Sequence, residues 1–306
     1  MLIAALLAAS WLPALTRLGW PRQPDAWVDL TEPEADGTGA PAGGVLPFRF
    51  AVAPVLGPEQ SLEKFGPLVD YLAARLGRTP MLLQRRNYAE VNELLRNQHC
   101  EAALVCTYPL VRGEREFGLQ PLAVPQIKGA VTFQSLAVVS SASPVASLLG
   151  LQGKRFASAD LFSTAGWLYP AVWLKNHGVD ANRFFLEHLI TGSDDRSLQA
   201  VAAGYVDGTA VNSVVFDQVV GADPALAAKL KVILRSPPLG LPPVVVPPHT
   251  SVEVRQALLA ALLAAHEGPA GKAALAGLGI DRFVVPDETL YDGVRKAVEL
   301  WESRGP

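Results

Sequence analysis

The amino-acid sequence predicts an α/β protein of two lobes. Short apolar runs alternate with helical patterns, this alternation occurs twice in succession, and the chain ends in a series of helices. Alternation of this kind is typical of a parallel sheet with helical crossovers. With 306 residues, half of them apolar, the chain can bury a substantial core.

The first series of elements begins with the apolar run at residues 48–55. Beyond Gly57 and Pro58, apolar residues recur every three or four positions until Gly77, and this spacing predicts a helix. Further strands are predicted at 81–83, 102–106 and 122–125, with a second helix at 88–96. These elements form the first lobe.

The second series begins at residue 135 and forms the second lobe. Its predicted strands are 155–158, 188–190 and 206–211, and its helices are 165–177 and 196–203. Strand candidates at 231–234 and 243–246 then lead to helices at 252–266, 272–277 and 288–302. Because no strand is predicted between these last helices, we expect them to pack on the first lobe. The prediction is therefore a first lobe of residues 48–134 and 245–306, a second lobe of residues 135–244, and a hinge of two crossing segments.

The N-terminal segment has the features of an export signal. Residues 1–18 are apolar with a single charge at Arg17, they are shorter than the ~20 residues of a membrane span, and Pro13 would kink a helix. We expect a signal or signal-anchor at 1–20, although a buried N-terminal helix fits the same pattern. Residues 21–47 contain five prolines and four glycines and predict a flexible linker. The expected location is periplasmic or extracytoplasmic, with membrane contact only through this segment or a partner.

Composition and motifs exclude several functions. Lys and Arg number 26 against 29 for Asp and Glu, and the net charge of −3 without a basic run argues against nucleic-acid binding. The sequence contains no HExxH, GxSxG, CxxC or phosphate-binding P-loop motif, and its five histidines do not cluster with acids at a metal-ligand spacing. We expect no catalysis, no cofactor and no metal.

Polar residues mark the predicted strand-to-helix turns. Four turns stand out, at 53–56, 87–88, 163–166 and 191–197. Helix N-termini present free N–H groups and the positive end of the helix dipole, which suit an oxyanion. Ordinary helix capping explains the same Ser and Thr residues.

A family resemblance is carried by five segments, in this order: 53–78, 84–96, 103–111, 154–174 and 191–219. Over residues 48 to about 302 the chain resembles the phosphate-, phosphite- and phosphonate-binding proteins of ABC importers, the PhnD-like family. The resemblance implies a type II periplasmic-binding-protein fold. It also implies that the two lobes close on a small oxyanion, which an ABC permease then receives.

The resemblance also implies the residues that bind the ligand. They come from both lobes: Tyr88, Cys106, Thr107, Tyr108, Ser163, Thr164, Asp194 and Asn212. The chain departs from the family at Ala165, which lacks a hydroxyl, at Asp194, where many relatives have histidine, and at Asn212, where an acid is common. If Asp194 caps its helix, the preference for phosphonate, phosphite or phosphate is retained. If Asp194 points into the cleft, the ligand is expected to be a neutral oxyacid.

Cys106 leaves a second function open. Arsenious acid is neutral near pH 7 and is favoured by soft sulfur ligands, so the chain is also similar to the arsenite-binding sensor proteins of the AioX type. These signal to a membrane histidine kinase. The other cysteine, Cys100, is about 20 Å away if the run between them is a strand, so the two cannot form a disulfide. A buried, inert thiol explains Cys106 equally well.

Overall fold

The computed structural model describes residues 46–302 of the chain. The predicted signal or anchor at 1–20 lies outside the described residues, as does the predicted linker except for its last two residues. Two large β-sheets with helices packed against them form most of the described part, and two chain segments cross between them. The prediction of a two-lobed α/β fold with a two-segment hinge is confirmed.

Thirteen strands are present among residues 46–302. In chain order they are β1 (Pro47–Val52), β2 (Thr79–Gln84), β3 (Ala102–Leu104), β4 (Gln120–Gln126), β5 (Thr132–Phe133), β6 (Ser135–Ser140), β7 (Arg155–Ser158), β8 (Glu187–Ile190), β9 (Gly208–Asn212), β10 (Leu230–Arg235), β11 (Leu239–Gly240), β12 (Val244–Val246) and β13 (Arg282–Val284).

The same range holds eleven α-helices, a 3₁₀ turn at Leu148–Leu151 and a π-helical turn at Thr164–Leu168. The α-helices are α1 (Pro58–Arg75), α2 (Tyr88–Arg96), α3 (Thr107–Phe117), α4 (Tyr169–Asn176), α5 (Ala181–Phe184), α6 (Asp194–Ala202), α7 (Ser213–Ala222), α8 (Pro224–Ala227), α9 (Val252–Ala264), α10 (Pro269–Ala276) and α11 (Asp292–Glu302). None of the described helices is long and apolar enough to cross a bilayer.

Lobe 1 is built on a six-stranded sheet of order β13-β4-β12-β3-β1-β2, and lobe 2 on a five-stranded sheet of order β10-β6-β9-β7-β8. The predicted parallel pairing is present in both sheets, but each sheet also contains antiparallel strands. In lobe 1, β1 is parallel to β2 and β3, but β12 is antiparallel to β3 and β4. In lobe 2, β6 is antiparallel to β9 and β10. Both β6 and β12 start directly from the hinge, where the parallel strands of each lobe end, and so must run the opposite way.

Several further elements differ from the prediction. The helices α3 and α7 were not predicted, and β13 lies between α10 and α11, where no strand was expected. Helix α7 matters for the contact between the lobes. It belongs to lobe 2, yet Val215 on it is buried in the hydrophobic cluster of lobe 1 together with Phe65 and Leu104.

The hinge is a pair of short antiparallel strands. Leu239 pairs with Phe133 and Gly240 with Thr132, so β5 and β11 form a two-stranded sheet of their own. A Cβ atom on Gly240 would lie 2.7 Å from the ring of Tyr291, which is why the position suits only glycine. Contact with this ring places the start of α11 beside the hinge.

Candidate functional site

The site lies where the two lobes face each other. The parallel strands of each lobe end at this cleft, and the helices that follow them start there with their N–H groups directed across it. Helices α2 and α3 start on the lobe 1 side, and the π-helical turn, α6 and α7 start on the lobe 2 side. Five helix starts from two sheets therefore converge on one region.

Tyr88 and Asp160 meet across the cleft. Tyr88 is the first residue of α2, whose cap Asn87 accepts the N–H of Glu90 at 2.9 Å. Asp160 follows β7, and its Oδ2 accepts the Tyr88 N–H at 3.0 Å while its Oδ1 accepts the N–H of Phe162 at 2.7 Å. Both residues are buried, with 1% and 5% of their surfaces exposed. Burial raises the pKa of the Asp160 carboxyl, and these two N–H donors partly oppose the rise.

Thr164 makes the second contact across the cleft, at the start of α3. Its Oγ1 accepts the backbone N–H of Tyr108 at 2.8 Å and lies 2.8 Å from the Thr107 hydroxyl. The Cys106 thiol donates to the same oxygen at 3.3 Å, and the Thr164 N–H donates back to Cys106 Sγ at 3.4 Å. One lobe 2 hydroxyl therefore contacts three consecutive residues of lobe 1.

The sequence around Ser163 explains how Thr164 reaches that position. The Ser163 hydroxyl accepts the N–H of Gly166 at 2.9 Å, and the Ser163 carbonyl accepts the N–H groups of both Trp167 and Leu168. These bonds wind the chain into the π-helical turn. A Cβ on Gly166 would approach Ser163 Oγ to 2.9 Å, so the tight turn requires glycine there. Ser163 acts as a cap, and Thr164 is left free to face lobe 1.

Asp194 does not cap its own helix. Its Oδ2 accepts the backbone N–H of Asn212, at the end of β9, at 3.0 Å. Asn212 in turn caps α7, because its Oδ1 accepts the Val214 N–H at 2.8 Å. Asp194 is 2% exposed, and burial raises its pKa to about 7. Burial is the main cause that raises the pKa of both Tyr88 and Cys106, and the Asp194 carboxylate adds to each rise.

Three buried oxygens at the start of α6 have no hydrogen-bond partner among residues 46–302. They are Oγ of Ser193, Oδ1 of Asp194 and Oδ1 of Asp195. An unpaired buried carboxylate oxygen is costly, and such atoms need a donor from water or a ligand. This part of the cleft is therefore a surface that accepts hydrogen bonds.

Cations lie at the mouth of the cleft. Arg86 and Arg196 line an open groove of about 980 Å³ together with Arg85 and Glu93. Arg86 is largely exposed and pairs with Glu90 at 3.5 Å. These side chains can attract an anion toward the groove, but the inner contacts described above involve hydroxyls, amides and carboxyls.

Both cysteines are free and buried. Burial raises the pKa of Cys106, and the Thr164 contacts lower it only in part. Burial raises the pKa of Cys100 to about 12, and that thiol packs in a separate cluster with Leu95 and Val105. Both sulfurs are therefore neutral thiols at pH 7. No group of three metal-binding side chains occurs within the described part of the chain.

The structure brings the eight residues named in the sequence analysis to the cleft, although not all of them through their side chains. Tyr108 contributes its backbone N–H, while its hydroxyl donates to Glu302 at 3.2 Å and its ring packs against Phe162. Asp160 was not predicted, whereas Ser193 and Asp195 lie in the turn at 191–197 that the sequence marks but are not among the eight residues named for the site. An acid directly after an apolar strand was the available signal for Asp160, because strand ends line the cleft.

Residues 50–291 match the model of a family described as ABC transporter, phosphonate, periplasmic substrate-binding protein. Among solved structures, a binding protein component of an ABC phosphonate transporter from Pseudomonas aeruginosa aligns with a TM-score of 0.78 at 21% identity, over 85% of this chain and 87% of that one. PhnD1 from Prochlorococcus marinus, solved with methylphosphonate, aligns with a TM-score of 0.74 at 18% identity, over 84% and 99%. A Xanthomonas citri protein solved with chloride gives 0.72 at 22% identity, over 84% and 99%. At these identities the structural likeness shows the fold.

Proposed function

The chain belongs to the family of phosphonate periplasmic substrate-binding proteins of ABC transporters, and from that premise we propose that it captures a small phosphonate or a related oxyanion between its lobes. Delivery to a membrane permease follows from the same membership, as does a location outside the cytoplasm. In this transport process the protein itself binds the ligand and closes its two lobes around it.

One observation carries the proposal. Two helix N-termini of lobe 1 each donate a backbone N–H to an oxygen atom of lobe 2, Tyr88 to Asp160 and Tyr108 to Thr164. Helix N-termini with oriented N–H groups stabilise anionic oxygens through hydrogen bonds and the helix dipole. An oxyanion can take the place of Asp160 and Thr164 as the acceptor of these lobe 1 N–H groups, while the π-helical turn, α6 and α7 present their N-termini from lobe 2. Its binding would then favour the closed arrangement.

The buried carboxyls restrict the charge of the ligand. A carboxylate ~4 Å from an anionic oxygen costs about 4 kcal/mol at an effective dielectric constant of 20. A shared proton removes this cost, and Asp194 can supply one because burial raises its pKa to about 7. We therefore expect the ligand to bind with a proton between one of its oxygens and Asp194. A singly protonated phosphonate or phosphite meets this requirement.

Arsenite binding is not favoured by the geometry around Cys106. Thiolate sulfur is the metal- and arsenic-binding form of cysteine, and burial raises the pKa of this thiol. Cys106 also makes hydrogen bonds with Thr164 in both directions. These contacts suit a packed thiol that orients Thr164.

A thermal-shift screen of the purified full chain tests the proposal. The panel contains phosphate, phosphite, methylphosphonate, aminoethylphosphonate, sulfate, arsenate and arsenite. A ligand at 100 times its Kd stabilises the folded protein by about 2.7 kcal/mol, which corresponds to roughly 5–10 °C for a protein of this size. We expect this shift for at least one phosphorus oxyanion and none for arsenite. No shift with any phosphorus oxyanion would refute the proposal, and a shift with arsenite alone would favour the sensor function.

A further inference from the structure

A second cavity lies between the lobes, next to the cleft. Its volume is about 90 Å³. Lobe 1 contributes Val55, Phe65, Leu104 and Ile280 to its wall, α7 of lobe 2 contributes Val215 on the other side, and the cavity is partly open to solvent. The wall thus comes from both lobes, so the cavity forms in this shape only when the lobes are together.

The wall of this cavity is apolar. Its polar members are Lys64, Asn212 and Gln218. The Lys64 ammonium donates to the Gly277 carbonyl at 3.2 Å, and the Gln218 amide donates to the Leu278 carbonyl at 3.2 Å. These nitrogens are engaged with the protein and do not require a polar ligand. Apolar cavities bind hydrocarbon groups in preference to water.

Two residues connect the cavity to the oxyanion site. Val55 packs against the cluster of Ala53, Tyr88 and Cys106 and also lines the cavity. Asn212 lines the cavity as well, and its backbone N–H donates to Asp194. A ligand held between Tyr88 and Asp194 therefore has the cavity beside it.

We propose that this cavity receives the carbon substituent of the ligand, so that the protein prefers phosphonates with a short alkyl chain over methylphosphonate or inorganic phosphate. This inference rests on the proposed function and names its substrate class. A volume of about 90 Å³ is smaller than the 150 Å³ cavity that holds benzene and about three times the share of one water. It accommodates two or three carbon atoms.

Calorimetric titration of the full chain with phosphate and with methyl-, ethyl-, propyl- and pentylphosphonate tests the proposal. Each methylene that enters the cavity should tighten binding about fourfold, so propylphosphonate should bind about fifteenfold more tightly than methylphosphonate. Pentylphosphonate exceeds the volume and should bind no better than propylphosphonate. Equal or weaker affinity for the longer chains, with methylphosphonate or phosphate still bound, would overturn the inference and leave the proposed function intact. Failure to bind any member would instead refute the proposed function.

Val215→Phe fills the cavity from the lobe 2 side. It should abolish the preference for propylphosphonate while methylphosphonate affinity stays within about threefold. Val220→Phe is the matched control, because Val220 lies on the same helix but packs on the cluster of lobe 2; it should retain the preference. If Val215→Phe prevents closure and weakens the binding of every ligand, a second variant, Gln218→Ala, tests whether the cavity receives the alkyl chain. That variant enlarges the cavity and should raise the affinity for pentylphosphonate relative to methylphosphonate, and an unchanged ratio would contradict the proposal.

Discussion

The carboxylate of Asp160, in lobe 2, accepts the backbone N–H of Tyr88, in lobe 1, at a distance of 3.0 Å. This bond joins the end of β7 to the first residue of α2 and places a negative charge at a helix N-terminus, where the dipole favours it. A second bond joins the lobes in the same way, from the Tyr108 N–H at the start of α3 to the Thr164 hydroxyl oxygen. Closure of the lobes therefore depends on two lobe 2 oxygen atoms, each held at the start of a lobe 1 helix.

Removing the Asp160 carboxylate should open the lobes. A hydrogen bond to a charged group contributes about 1.5–3 kcal/mol, so Asp160→Ala should shift the closed-to-open ratio by at least tenfold. Small-angle X-ray scattering should show a larger radius of gyration. The control is Asp223→Ala, which loses two N–H partners at the start of α8 but no contact between the lobes. An unchanged radius in Asp160→Ala would mean that this bond does not hold the lobes together.

Thr164→Val should weaken ligand binding. The substitution conserves shape but leaves the buried N–H of Tyr108 without its acceptor, which costs about 1–3 kcal/mol. We expect methylphosphonate affinity, measured by calorimetry, to fall at least fivefold, and Thr164→Ser to restore most of it. Thr209→Val is the matched control, since its hydroxyl is equally buried and donates to Ala157 at 2.9 Å inside the lobe 2 sheet. It should lower Tm with affinity unchanged. Equal loss of affinity in both would indicate a general loss of stability.

Asp194 should make stability depend on pH. Its pKa is raised by burial from 3.8 to about 7, so the folded state binds a proton that the unfolded state has released. Its contribution is fully present below about pH 4 and is lost as the pH rises to about 7, by up to about 4 kcal/mol. Partial burial lowers the pKa of His188 to about 4, so His188 makes the stability rise with pH, whereas the raised pKa of Asp160 makes it fall with pH as for Asp194. Urea unfolding of wild type and Asp194→Asn from pH 4 to 8 separates these effects.

As the pH rises from 4 to 7, the free energy of unfolding of wild type should fall relative to that of Asp194→Asn, so the variant gains in relative stability at the higher pH. The same pair should differ in ligand binding. Above pH 7 the wild type carries a cleft charge that the variant lacks, so its methylphosphonate affinity should fall relative to that of Asp194→Asn. If the methylphosphonate affinities of the two proteins change with pH in parallel, Asp194 does not face the ligand.

The Cys106 thiol should not react with alkylating reagents in the native protein. It is buried and its pKa is raised, so iodoacetamide should not label it in the native protein at pH 7.5, as judged by mass spectrometry. Cys106→Ser should bind methylphosphonate within about threefold of wild type, because a serine hydroxyl can also donate to Thr164. Rapid labelling, or stabilisation of wild type but not of the variant by arsenite, would restore the sensor hypothesis.

Local patterns predicted the elements whose signal lies within a few residues. The cap at Asn87 and the apolar spacing after it define α2 in the sequence with its observed bounds. Helix α3 was not predicted, because its start at Thr107 follows an apolar run directly and Gly113 interrupts the pattern; that glycine is needed because a Cβ there would meet Leu119 at 2.7 Å. Helix α7 is rich in β-branched residues, which favour strands.

Contacts between distant segments were beyond prediction. The role of Asp160 depends on Tyr88, which lies in the other lobe, and the antiparallel position of β12 depends on the chain returning from lobe 2. The direction of Asp194 was left open for the same reason, because its partner Asn212 is set by the pairing of lobe 2 strands. Residue types at strand ends indicate a site, and only the folded chain decides which of them meet.

The most direct test is a crystal structure of the protein with methylphosphonate. We expect the phosphorus to lie between the lobes, with its oxygens within 3.2 Å of donors at the starts of α2 and α3 and of the Thr164 hydroxyl, and with its methyl group toward Val55. A phosphonate bound on the outer surface, or between the lobes but away from Tyr88, Tyr108 and Thr164, would contradict it.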